Sequence, residues 1–74
     1  MTYLEKLKAL REDNDYPQKK IAGILRVAQS TYSQYERGVL SLPIEYFKIL
    51  CEFYGVSADE ILGVQKRREE PFGR

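Results

Sequence analysis

The chain has 74 residues, 43% of them hydrophobic, with a net charge of +1, one cysteine and no histidine. A chain this short has material for one small core and no second one. The missing histidine and the lone Cys51 exclude an internal disulfide, a His-based catalytic pair and the usual zinc-ligand spacings, so neither a metal nor a cofactor is expected.

In chain order, Thr2 with Glu5 reads as a capping box that opens a first helix. Leu4, Leu7 and Leu10 supply its buried stripe, with Tyr3 beside it. The run Glu12-Asp13-Asn14-Asp15 places acids where the helix dipole prefers bases, which predicts an end near Asp13 to Asn14 and a frayed turn. Pro17 has a fixed φ and no N–H, so it suits the start of the next helix and not an interior.

From Gln18 to Gly38 the apolar positions fall into two short helical sets, Ile21, Ala22 and Leu25, then Tyr32 and Tyr35. Isolated helices below about 12 residues are marginal in water, so these two must brace each other. Val27 is apolar within the polar break between them, which predicts a tight turn pinned to the core: a helix-turn-helix pattern.

Gly38 suits a left-handed cap, and Val39 to Leu42 then crosses to a helix that begins around Pro43 and Ile44. Phe47, Leu50, Cys51 and Tyr54 give that helix its buried face, where Cys51 reads as a small core residue, and Gly55 ends it. Ser57 and Glu60 repeat the capping-box pattern before a short last helix with Ile61 and Leu62. The predicted fold is all-α, with five helices in a domain over residues 1–63. Residues 64–74 are highly charged and poor in apolar groups, which predicts a mobile tail.

No apolar run approaches the roughly 18 residues of a membrane-crossing helix, and the start MTYLEKLKAL lacks the order of a secretory signal. A soluble, cytoplasmic protein without a membrane role is expected. The small net charge hides an uneven distribution: −1 over residues 1–16, +3 over 17–42, −3 over 43–63 and +2 over 64–74. Positive charge thus gathers on the helix-turn-helix and the tail, predicting one face suited to nucleic acid.

Off the buried face of the second helix of the motif stand Gln29, Ser30, Ser33 and Gln34. A helix that faces only water normally carries Lys and Glu there. Gln can pair two-pronged with adenine in the major groove, and Ser can approach either kind of base pair. Lys19, Lys20, Arg26 and Arg37 flank this neutral face as phosphate anchors would.

Gln18, Ile21-Ala22, Val27, Gln29-Ser30-Thr31, Tyr32, Gln34 and Tyr35-Glu36-Arg37-Gly38 together resemble the DNA-binding motif of the lambda-repressor-like (Cro/C1, or XRE) transcriptional regulators. The resemblance extends through Pro43-Ile44-Glu45, Leu50 and Gly55 to Leu62, about four fifths of the chain. It implies a compact five-helix domain and a regulator, most often a repressor. Gln29, Ser30, Ser33 and Gln34 would face bases, and Gln18, Lys19, Arg26 and Arg37 the DNA backbone. It also implies that Arg11 pairs with Glu36, the one acid in the DNA-facing segment, in an architectural ion pair.

Three departures from the family pattern stand out. Pro17 replaces the usual Ser or Thr; Arg26 replaces the usual Gly in the turn; Ala28 replaces the usual N-cap Ser or Thr. A left-handed Arg26 costs of order 1 kcal/mol, and an alanine N-cap typically loses about 1 kcal/mol.

Members of the family generally bind near-palindromic double-stranded operators as homodimers, with recognition helices about 34 Å apart. Tyr46, Ile49 and Phe53 lie off the buried stripe of their helix and, with the last helix, are the expected interface. In the tail, Lys66-Arg67-Arg68 either touches the DNA backbone or stays solvated. The acidic fourth helix and its spare aromatics keep another reading open, a protein-interaction module such as an antitoxin that uses the fold mainly to hold a protein partner. No nucleophile–base pair or metal set is present, so enzymatic activity is not expected.

Overall fold

The computed structural model of the chain describes residues 2–63, which form helices α1 (Tyr3–Asp13), α2 (Gln18–Leu25), α3 (Gln29–Glu36), α4 (Ile44–Tyr54) and α5 (Ala58–Leu62). No strand occurs among the described residues. The expected tail over 64–74, with Lys66-Arg67-Arg68, lies outside them. Two helices start on capping boxes. Thr2 Oγ1 accepts from the Glu5 N–H at 3.2 Å while Glu5 Oε1 accepts from the Thr2 N–H at 2.8 Å, and Ser57 and Glu60 repeat the exchange at 3.1 and 2.8 Å. By contrast α2 and α3 start on Pro17 and Ala28, neither of which gives a side-chain cap.

Four helix ends share one closure. Asp15, Arg26, Gly38 and Gly55 are left-handed, and the next residue donates its N–H to the carbonyl five positions back. These bonds are Tyr16 to Arg11 (3.0 Å), Val27 to Ala22 (3.0 Å), Val39 to Gln34 (2.9 Å) and Val56 to Cys51 (3.0 Å). The acidic run 12–15 therefore does not fray, contrary to the expectation from its charge. Asn14 Nδ2 donates to the Leu10 carbonyl at 2.8 Å, and Asp15 belongs to the small group of non-glycine residues that tolerate the left-handed turn.

Leu7, Ile21, Ala22, Leu25, Tyr32, Phe47, Leu50, Cys51 and Ile61 form the core, so every helix contributes at least one buried side chain. Burial pushes the Cys51 thiol up from its ordinary pKa, as an inert packing residue requires. Leu10, Val27, Tyr35 and Tyr54 pack on the core as partly buried residues. Edge-to-face contact between Tyr3 and Phe47, with centroids 5.8 Å apart, ties α1 to α4. Tyr46 departs from the expectation of a free face. It is half-buried on the core and meets Tyr35 of α3 at 6.1 Å, a contact between two helices that spacing along α4 alone does not disclose. No described helix is long and apolar enough to cross a membrane.

Candidate nucleic-acid interface

The α2–α3 turn is built by Arg26, left-handed at φ 61° and ψ 43°, with Val27 folded back onto the core. It presents α3 with Tyr32 inward, Tyr35 against the core edge, and Gln29, Ser30, Ser33 and Gln34 on the remaining face. Gln29 and Ser30 are exposed; Ser33 and Gln34 are half-buried. The hydrogen-bonding side chains of α3 are those of Tyr32 and Glu36. Among the described residues, the amides and hydroxyls of the other four are uncommitted. Lys19, Arg26 and Arg37 are exposed, and Lys20 stands over the Tyr16 ring at 5.1 Å.

Glu36 does not oppose this cationic rim, because its charge is enclosed and matched. Its side chain is only 4% exposed. Arg11 grips it with two prongs, Nε to Oε2 at 2.8 Å and Nη2 to Oε1 at 3.0 Å. Gln18 Nε2 donates to Oε1 at 2.9 Å and the Tyr32 hydroxyl to Oε2 at 2.9 Å. Burial pushes the Glu36 carboxyl up, but the bonds from Arg11, Gln18 and Tyr32 outweigh it and hold the pKa below its ordinary value. The bond to Glu36 raises the Arg11 pKa, and burial, aided by Glu36, raises that of Tyr32. Arg11 spends Nη1 on the Tyr16 carbonyl at 2.9 Å, so one guanidinium joins α1, the α1–α2 turn and α3.

Two members of this cluster escape a reading of the sequence. Tyr32 lies four residues before Glu36 on one helix, a spacing that brings side chains together and was a usable signal. Gln18 has no such signal, because its bond to Glu36 depends on how α2 and α3 cross. The Gln18 side chain, expected to face phosphate, is thus half-committed: one hydrogen of Nε2 goes to Glu36 and the second is free. Gln18, Glu36 and Arg37 line one groove with Lys8 and Arg11, and with the carboxylates of Glu5 and Glu12.

Of the three residues expected at a dimer interface, Ile49 and Phe53 are each 38% exposed, while Tyr46 is half-buried and meets Tyr35. Phe53 also contacts Tyr16 and Tyr54. Burial pushes the Tyr54 hydroxyl up to about 12, and its oxygen has no hydrogen-bond partner among the described residues. No described group of His, Cys, Asp and Glu side chains is placed to hold a metal ion.

A helix-turn-helix family model matches residues 7–61. The chain is 30% identical over 66 residues to the HTH-type transcriptional regulator AnsR of Bacillus subtilis, covering 89% of this chain and 57% of that protein. It is 33% identical over 60 residues to the antitoxin PezA of Streptococcus pneumoniae, covering 81% of this chain and 38% of that one. It is also 33% identical over 60 residues to the cryptic phage CTXphi transcriptional repressor RstR of Vibrio cholerae, covering 81% and 54%. The chain thus spans about half the length or less of these relatives. No solved structure matches it.

Proposed function

Because this chain belongs to the lambda-repressor-like, Cro/C1-type helix-turn-helix family, we propose that it is a cytoplasmic, non-enzymatic repressor that binds double-stranded DNA sequence-specifically. It acts as a homodimer on a near-palindromic operator and reads the major groove with α3. The observation that carries this reading is the face of α3: four uncommitted amides and hydroxyls, with the one carboxylate of α3 sealed under two prongs of Arg11. A neutral hydrogen-bonding surface can approach base edges that a Glu-bearing one would repel at the phosphates.

Gln29, Ser30, Ser33 and Gln34 read bases. Gln18 holds a phosphate with its second Nε2 hydrogen and the open amides of the uncapped α2 N-terminus. Lys19, Arg26 and Arg37 supply counter-charge from the rim. Ile49 and Phe53, with Tyr46 at their edge, join the two subunits. Selection of bound sites from random DNA tests the reading. Wild type enriches a two-fold motif, and Gln29→Ala or Gln34→Ala each relaxes one position per half-site by about 1 to 3 kcal/mol. Uniform weakening on all sequences would reduce both to phosphate contacts.

A second reading draws on the likeness to an antitoxin and on the exposed aliphatic side chains of Ile44 (69%) and Leu62 (50%). In it the domain chiefly holds a protein partner, and the same selection enriches no motif.

A further inference from the structure

Where a helix closes with a left-handed residue, the residue after it usually packs its side chain on the one five positions back. Tyr16, Val27 and Val56, the residues that follow the other three closures, are packed on the core. Val39 stands at the equivalent place after α3, yet it is 60% exposed and is not among the residues that cover the core. The residue five positions before it is Gln34, the last member of the proposed base-reading row. The backbone bond of the closure holds Val39 at the end of α3 next to Gln34, with its aliphatic side chain on the outside of the molecule. Both Val39 and Leu40 spend their N–H groups on the Gln34 carbonyl, at 2.9 and 3.2 Å. Those two amides are thus not offered to a phosphate, and what the turn presents outward is side chain.

We propose that Val39 is a specificity residue that receives the 5-methyl group of a thymine next to the base pair read by Gln34. The two side chains then act as one amide-and-methyl reader for an A·T step. The inference rests on the DNA-binding reading above. In the major groove the thymine methyl is the one alkyl group of the four unmodified bases, and the nitrogen and oxygen groups around it are donors or acceptors that a valine would desolvate without replacement.

The test uses the full chain and its selected site, with each thymine replaced in turn by deoxyuridine, which removes only the methyl. Binding is measured for wild type and Val39→Ser. At one thymine per half-site, the replacement should weaken wild type about fourfold, the loss expected for re-exposing one buried methyl. Val39→Ser should bind the thymine and deoxyuridine sites equally. Because Val39 is exposed, the variant keeps its fold, as an unchanged urea midpoint would show. Indifference to deoxyuridine at every position, or an undiminished effect in Val39→Ser, overturns the assignment while leaving the DNA reading standing. Failure to enrich any motif overturns both.

Discussion

Removing Arg11 should cost this domain a third or more of its stability. The Arg11 and Glu36 side chains are 11% and 4% exposed, and breaking such a pair by deleting one partner typically costs about 3 to 5 kcal/mol because the other charge is stranded. In Arg11→Met the carboxylate keeps two donors, Gln18 and Tyr32, which places the loss near the lower end, at about 3 kcal/mol. A domain of this size has a total of about 3 to 9 kcal/mol, and each kcal/mol lowers its melting temperature by about 4 to 8 °C. Urea unfolding followed by far-ultraviolet circular dichroism reads the change directly. In wild type the depressed Glu36 pKa contributes stability that is fully present above the ordinary value of 4.5 and is lost as pH falls through the lowered folded value. The gap between wild type and Arg11→Met should therefore narrow as the medium is acidified below that point. Arg11→Met with Glu36→Met removes both charges and strands neither. It should cost clearly less than the two single losses added, leaving the Tyr32 hydroxyl, the Gln18 amide and the Tyr16 carbonyl without their partners, of which the buried Tyr32 hydroxyl weighs most at about 1 to 3 kcal/mol. A loss below about 1 kcal/mol in Arg11→Met at pH 7, or strict additivity in the double variant, would refute the view that this is a buried, coupled charge pair.

Three further outcomes follow from single residues. Arg26→Gly relieves the left-handed strain at φ 61° and should raise stability by about 1 kcal/mol, while the lost cation lowers the salt slope of DNA binding by about 1. Ala28→Ser supplies the N-cap that α3 lacks and should add about 1 kcal/mol in the same urea assay. Ile49→Asp places a charge on an exposed face of α4. Sedimentation equilibrium should then show monomers, with operator affinity falling accordingly; dimers that persist would move the interface elsewhere.

What the sequence discloses about this fold is mostly what one helix decides for itself. The capping boxes at Thr2–Glu5 and Ser57–Glu60 are exchanges within four residues, so the starts of α1 and α5 are visible in the chain. The core is visible for the same reason, because Ile21, Ala22 and Leu25, or Phe47, Leu50 and Cys51, lie on one side of any helix with that spacing. The turn after α1 is visible in the acidic run, while its ordered left-handed closure at Asp15 is not, because charge alone points to fraying and says nothing of backbone tolerance. Gln18 and Tyr46 belong to another kind. Their partners, Glu36 and Tyr35, lie on a different helix, and only the crossing of α3 over its neighbours selects them.

The Gln18 bond also bears on how the DNA reading would work. A phosphate contact usually fixes position and carries no sequence information. Here the amide proposed to hold the phosphate is bonded to a carboxylate on the last residue of α3, and that carboxylate is clamped by Arg11 from α1. Displacing α2 from the backbone by an ångström would therefore stretch a charge-assisted bond in a nearly dry site, where such bonds are strong. The phosphate register and the angle of the reading helix become one variable instead of two. On this logic Gln18→Ala does more than remove one phosphate contact. It lets α3 tilt independently, so discrimination between the selected site and its single-base variants should fall along with overall affinity. An affinity loss equal on all sequences would show that the bond to Glu36 holds the fold together without tuning what α3 reads.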